Sequence, residues 1–449
     1  MYNTFDSRIK IDTSLPFHYY LISMTNNLII KSAFCLYNFG WNLVIPALRL
    51  NKRLAEGFKQ RILREKLPKA DIWIQAASVG EAFLAKELLD NFKPSNPTRI
   101  LLTSNTSQGI EILDQAVSEI IPTNRGITAF TAYFPFDKPT IMARAVRDIS
   151  PKIMVLLESE MWPGHMAALK KNGCKILIIN GRITSKSLSR YLIWPSLCRA
   201  LSPDKILAIS ENDAQRFASL FGKNRVGVMP NIKFDRLDSK ASSPNTKNPL
   251  ETIISHETPF LVIGSVRQEE EHLIKKIIED ILHRQPKTNI GLFPRHMHRI
   301  KHWKNTLSGM AIPWVLRSDT RKIVSPGTVI LWDTFGELSF AYKISKAAFV
   351  GGSLAPLGGQ NFLEAITCGI VPVIGPSWEN FAWVGPDIIN KGLVKIAGGW
   401  KEVADTLVKG IENPPSHEIV RKSAFEYLKN HQGGTKMSCR LIDDFLNNL

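Results

Sequence analysis

The sequence predicts an α/β protein with two doubly wound parallel sheets. Three observations lead there. Short apolar runs of strand length recur, each followed by a helix-length segment. Polar residues and glycines gather where those runs end. The pattern stops in a polar, proline-bearing stretch and then starts afresh. With 449 residues and 44% hydrophobic content, the chain can bury more than one core, and its length favours two or three domains.

In chain order, residues 28–48 come first, mostly apolar over nearly the length needed to cross a bilayer. Lys31, Asn38 and Asn42 interrupt this run, and a basic residue within hydrocarbon costs roughly 2.5 to 3.5 kcal/mol. The basic flank behind it (Arg49, Lys52, Arg53, Lys59, Arg61, Arg64, Lys66, Lys69) suits anionic headgroups, and no small-residue cleavage signal comes after it. The expectation is an N-terminal membrane anchor, spanning or lying in the interface, with a buried soluble helix as the alternative. The positive-inside rule would then place the later domains in the cytoplasm. The net charge of +17 implies an anionic partner, whether phosphorylated molecule, nucleic acid or acidic membrane. Five scattered cysteines suggest neither zinc nor a redox motif, and point to buried thiols in a reducing compartment.

The next element is Ile72–Ala76, an apolar run leading through Ser78-Val79-Gly80-Glu81 into a helix marked by Ala85, Leu88, Leu89 and Phe92. Glu81 therefore sits where a strand hands over to a helix. A carboxylate there either stabilises the helix start or serves catalysis at the sheet edge. The unit then repeats. Strands are predicted at 99–103, 153–157, 175–179 and 205–209, with polar ends at Ser104–Gly109, Glu158-Ser159-Glu160, Asn180-Gly181-Arg182 and Ser210-Glu211. Strand ends in a parallel sheet share one edge, so these residues can converge. Helix capping accounts for any one of them, but less well for the arginine and the doubled carboxylates.

Residues 238–249 carry two prolines and no apolar period, which marks a boundary. Beyond it, Phe260–Gly264 leads to Arg267, and 289–293 leads to Pro294-Arg295-His296-Met297-His298-Arg299, where arginine offers a fork to a phosphate or carboxylate. His296 and His298 lack companions at metal-ligand spacing. Strand 328–331 precedes Asp333-Thr334-Phe335-Gly336-Glu337-Leu338. Strand 347–350 enters Gly351–Asn361, a glycine-rich loop that opens a helix. It matches neither the dinucleotide fingerprint nor the nucleotide-triphosphate loop. Glu364 can accept from ribose hydroxyls or sit on a helix surface. Residues 369–376 look like one more strand, and the rest reads as helices.

Taken together, Gln75–Glu81, Glu158–Pro163, Asn180–Arg182, Asn231–Asp235, Pro294–His296, Asp333–Leu338 and Gly351 through Ala365 resemble the motif series of the Kdo (3-deoxy-D-manno-oct-2-ulosonic acid) transferases of lipid A biosynthesis. The resemblance covers roughly residues 30–430, and the general look of the chain is similar to the multifunctional chlamydial type. It implies a GT-B glycosyltransferase, with two Rossmann-like domains facing a cleft behind an inner-membrane anchor and the catalytic domains on the cytoplasmic side. The implied domains are 1–70 anchor and basic flank, 71–237 acceptor domain, 238–256 linker and 257–449 CMP-sugar domain with C-terminal helices. The implied reaction is inverting transfer of Kdo from CMP-Kdo to tetraacyl lipid A precursor, more than one Kdo in succession, with no metal in the chemistry and no nucleic-acid partner. Glu81 is implied as general base and Arg182 as a second catalytic residue. Ser78, Gly80, Ser107, Glu158 and Glu160 are implied to bind acceptor, and Arg267, Pro294, Arg295, Gly336, Glu337, Leu338, Gly359, Asn361 and Glu364 to bind donor.

The chain departs from the family pattern at three places. Gln75 stands where the family usually has His, Gly181 where it has Ala, and Val266-Arg267 where it has Thr-His. These departures bear on acceptor preference and number of additions more than on the reaction. Two other readings are a GT-B transferase using a nucleotide-hexose donor and a basic nucleic-acid or membrane-binding protein. The second rests on charge alone.

Overall fold

A computed structural model describes residues 28–123, 126–241 and 248–448. The chain forms two compact units. One comprises the described residues up to Arg236 together with those from Gln432 onward, and the other runs from Leu237 to His431. Part of the linker expected at 238–256, residues 242–247, lies outside the described residues, as do residues 1–27 of the expected anchor domain.

The first unit holds seven strands: β1 Ile72–Ala76, β2 Thr98–Ser104, β3 Ile127–Tyr133, β4 Ile153–Leu157, β5 Lys175–Gly181, β6 Lys205–Ala208 and β7 Val226–Val228. Their order is β3-β2-β1-β4-β5-β6-β7, and every pairing is parallel. The four expected strands beyond β1 are present. Strands β3 and β7 are additions to the expected set, because they are only partly buried and their apolar pattern is broken. Alternate residues of a strand face opposite sides. Trp73, Leu101, Met154, Leu156, Ile176 and Ile178 therefore fill one core, while Ile72, Ile74, Ile100, Leu102, Val155 and Leu177 fill the other. Both faces are apolar, as a parallel sheet with helices on each side requires. The last helix, Gly434–Asn447, joins the second of these cores through Ile442. Its start is tied down by Asp235, which accepts from the N–H groups of Gly433 (2.7 Å) and Thr435 (2.6 Å).

The membrane anchor is corrected. Residues Leu28–Leu48 do form a helix, but no helix among the described residues is long and apolar enough to cross a membrane. Two of the three polar residues that interrupt the run, Asn38 and Asn42, are engaged by protein. Asn38 Oδ1 accepts from Thr140 N–H (3.2 Å), Asn42 Oδ1 accepts from Lys138 Nζ (2.6 Å), and Tyr37 donates to Asp137 (2.9 Å) while Trp41 stacks on Phe136. The inner-membrane placement that rested on the anchor falls with it. Arg61, counted in the basic flank, is 1% exposed and donates to the carbonyls of Glu56, Phe134 and Asn105.

The second unit repeats the plan with β8 Phe260–Val266, β9 Asn289–Pro294, β10 Trp314–Leu316, β11 Val329–Leu331, β12 Ala347–Val350, β13 Pro372–Ile374 and β14 Lys395–Ile396. The order is β10-β11-β9-β8-β12-β13-β14, again parallel. Each sheet reverses its winding direction beside its first strand, between β1 and β4 and between β8 and β12. Such switch points open a crevice at the carboxyl edge where open α/β sheets bind ligands.

Candidate active site

Glu81 is 6% exposed and sits in the first turn of helix Val79–Asn91. Ser78 caps that helix, its Oγ accepting from Glu81 N–H at 3.3 Å. The Glu81 side chain folds back, taking the Ala77 N–H on Oε2 (2.8 Å) and the Ser78 hydroxyl on Oε1 (2.9 Å). The helix-start residue is thus also a buried acid at the switch point. Burial pushes its pKa up to about 7; the Ala77 N–H and Ser78 hydroxyl pull it down, while the negative charges of Glu158 and Glu160 push it up. A carboxylate poised there is ionised in useful amount at neutral pH yet still basic enough to take a proton.

Because β2, β1, β4 and β5 are consecutive neighbours, the sheet brings Ser107, Ser78, Gly80, Glu81, Glu158, Glu160 and Arg182 to one edge. Ser107 opens helix Ser107–Ile120, which Thr106 caps. Glu158 has φ of 58°, and its Oε1 accepts from Lys233 Nζ at 2.8 Å. Glu160 accepts from the Trp162 indole (2.9 Å). The Arg182 N–H donates to the Glu158 carbonyl at 3.4 Å, fastening β5 to β4 at the edge. Lys233 belongs to the Asn231–Asp235 motif, but its spacing from Glu158 gives no sign that the two meet; only the fold shows that it neutralises this carboxylate.

Backbone strain repeats in both units. Asn180 (φ 57°) lies in a register shift of β5 against β6, and Ser265 (φ 57°) in one of β8 against β9. Left-handed backbone outside glycine costs of order 1 kcal/mol or more, and bulges re-aim the residues just beyond them. In each case an arginine stands two residues on: Arg182 and Arg267.

Gln75, one of the three departures from the family pattern, is engaged within the protein beside this edge. It is fully buried, accepts from the Thr103 hydroxyl (2.5 Å) and donates to Asn105 Oδ1 (3.3 Å), so it ties β1 to the loop ahead of Ser107.

In the second unit the expected donor residues also fall at strand ends. Arg267 comes directly after β8, Pro294 ends β9, and the Arg295 N–H donates to the Val266 carbonyl (2.8 Å). His296 stacks on His298; its pKa is lowered by burial and then by Arg267, Arg295 and His298. Gly336 (φ 85°) and Leu338 flank Glu337 after β11. Glu337 is engaged on both oxygens, by the Arg317 fork (2.8 Å twice), the Trp332 indole (2.8 Å) and the Thr334 hydroxyl (3.0 Å). Burial pushes the Glu337 pKa up, but these partners outweigh it and hold the pKa below the usual range. Its side chain therefore shapes the turn, a role the sequence does not reveal because Arg317 carries no motif. Gly359 (φ 81°) donates to the Gly352 carbonyl (2.8 Å), and Asn361 Oδ1 accepts from Leu363 N–H (3.2 Å) ahead of Glu364. Among the described residues, no three His, Cys, Asp or Glu side chains gather as metal ligands.

The sequence model of a family described as 3-deoxy-D-manno-octulosonic-acid transferase (kdotransferase) matches residues 49–236. The chain is 28% identical over 415 residues to the 3-deoxy-D-manno-octulosonic acid transferase of Haemophilus influenzae, covering 90% of this chain and 94% of that one. It is 28% identical over 386 residues to the Bordetella pertussis protein of the same name, covering 84% and 88%. A solved structure of UDP-N-acetylglucosamine 2-epimerase superposes with a TM-score of 0.52 at 13% identity, over 81% of this chain and 95% of that one, a likeness of fold alone.

Proposed function

We propose that the chain is a glycosyltransferase of the 3-deoxy-D-manno-octulosonic acid transferase family and that it transfers Kdo from CMP-Kdo to a hydroxyl of tetraacyl lipid A precursor, a reading that the matching family model and relatives support. The observation that carries the reading is Glu81, a buried carboxylate with a pKa of about 7 held at the switch point of the first sheet. In the proposed reaction, ionised Glu81 removes the proton from the acceptor hydroxyl as that oxygen attacks the anomeric carbon of Kdo. The new carbon–oxygen bond forms with inversion while the bond to CMP breaks, and CMP leaves with the electron pair on its phosphate. Cationic side chains and backbone N–H groups offset this developing charge. Proton removal by a positioned base contributes typically about 10² to 10⁴-fold.

The first unit takes the acceptor in this reading. Ser78, Gly80 and Ser107 contact its sugar, Glu158 and Glu160 bind hydroxyls and set the basicity of Glu81, and Arg182 holds a phosphate or carboxylate. The second unit takes the donor. Arg267 and Arg295 meet its anionic groups, Gly336, Leu338 and Gly359 bring backbone close, and Asn361 and Glu364 face the ribose, with Pro294 and Glu337 shaping the walls. The remaining basic flank meets the anionic headgroup surface from which such an acceptor is drawn. The resemblance supports more than one addition in succession.

Mass spectrometry of lipid A precursor incubated with the protein and CMP-Kdo tests the reading. Growth of the lipid by whole Kdo increments with release of CMP is expected, and the increments count the additions. Release of UDP from a donor panel, with none of CMP, would refute it.

A further inference from the structure

Glu270 is fully buried and takes no part in the proposed reaction. It closes the short turn Gln268–Glu270 after β8, and its side chain runs back toward the sheet edge. Oε1 accepts from the N–H groups of Arg267 (2.9 Å) and Gly352 (2.6 Å), and Oε2 from those of Ser353 and Leu354, both at 3.3 Å. Successive backbone N–H groups pointing into one concavity make an anion-binding nest. In this unit the anion is the protein's own.

The surrounding chain is cut to fit that carboxylate. An added Cβ on Gly351 would stand 2.5 Å from Glu270 Oε1 and 2.7 Å from the Ser265 carbonyl. Gly352 has φ of 68°, and a Cβ there would stand 2.9 Å from Gln360 Cγ. Ser353 donates to the Val350 carbonyl (2.7 Å) and accepts from Gly375 N–H (2.8 Å). With Gly359 N–H returning to the Gly352 carbonyl at 2.8 Å, the loop hangs on Glu270 at its start and closes just ahead of Asn361 and Glu364.

An empty nest would draw the phosphate of a nucleotide; one already filled by a carboxylate repels it. We infer that Glu270 is a positioning residue for the nucleotide sugar: its carboxylate takes the Gly352–Leu354 N–H groups in place of the donor phosphate and sets the loop that carries Gly359, Asn361 and Glu364. The phosphate is then left to the arginines Arg267 and Arg295. The inference rests on the second unit being the donor unit.

The test is Glu270→Gln, which keeps the volume but places amide hydrogens against N–H donors. In the full-length protein, KM for CMP-Kdo and Kd for CMP should rise at least tenfold while KM for the lipid acceptor stays within twofold. Amide hydrogen exchange at 351–354 should quicken, and Glu270→Asp should recover part of the loss. A purely structural role would lower Tm and move both KM values together, and that result would overturn the inference. So would unchanged donor KM in a folded variant. If Glu270→Gln does not fold, Gly351→Ala displaces the carboxylate without removing it, and unchanged CMP affinity there overturns the inference equally. Wild-type protein that neither binds CMP nor consumes CMP-Kdo would instead overturn the donor reading beneath it.

Discussion

Replacing Glu81 with Gln separates the chemical role of this carboxylate from its structural one. The amide keeps the side-chain volume and an oxygen for the Ala77 N–H, and the Ser78 cap on the Glu81 N–H is untouched. The variant should fold, yet lose about 10² to 10⁴-fold in kcat/KM because it cannot take a proton. Stability should move the other way. With a folded pKa of about 7 against an ordinary 4.5, the folded state holds a proton that the unfolded state releases between those values. The stability from holding that proton is fully present below pH 4.5 and is lost as pH rises through 7. The gap between the two values corresponds to about 3 kcal/mol. Urea denaturation should therefore show Glu81→Gln gaining on wild type by that order between pH 4.5 and pH 8. In wild type, kcat/KM should fall to about a tenth of its plateau at pH 6. A folded Glu81→Gln protein within threefold of wild-type turnover would refute the base assignment. A stability difference that does not change with pH would refute the raised pKa.

Three other contacts can be probed in the same way. Lys233→Ala removes the cation at 2.8 Å from Glu158, whose negative charge raises the Glu81 pKa, so the acid limb of the pH–rate profile should shift to higher pH. Arg317→Lys keeps the charge but loses the two-pronged grip on Glu337; CMP affinity measured by calorimetry should fall severalfold while acceptor KM holds. Tyr37→Phe removes one of three hydrogen bonds to the buried Asp137 and should cost about 0.5 to 1.5 kcal/mol in denaturant titration. Because burial already lifts the Asp137 pKa to about 6 and the Tyr37 hydroxyl holds it down, the loss should be larger at pH 8 than at pH 5, where the carboxyl is protonated.

Local sequence determined much of this protein. Apolar runs such as Ile153–Leu157, of strand length and alternating with helix-length segments, read as strands buried on both faces, and helices between them favour parallel pairing. With the strands in place, residues at their carboxyl ends have to share an edge, so Glu81, Glu158 and Arg182 can be grouped from sequence. Tertiary structure decided what depends on partners far along the chain. Residues 28–48 read as an anchor because apolar content is counted without neighbours; only the fold supplies Asp137, Lys138 and Thr140 to meet Tyr37, Asn42 and Asn38. The pKa of Glu81 depends on burial and on carboxylates nearly eighty positions away. Glu337 resembles a ligand-binding group until Arg317 engages it, and Glu270 is one acidic residue among three until the chain after β12 delivers Gly352, Ser353 and Leu354 to it. Hydrophobic pattern is a local property and survives translation into elements. The charge and hydrogen-bond state of a side chain is set by whatever the fold brings within a few ångströms of it.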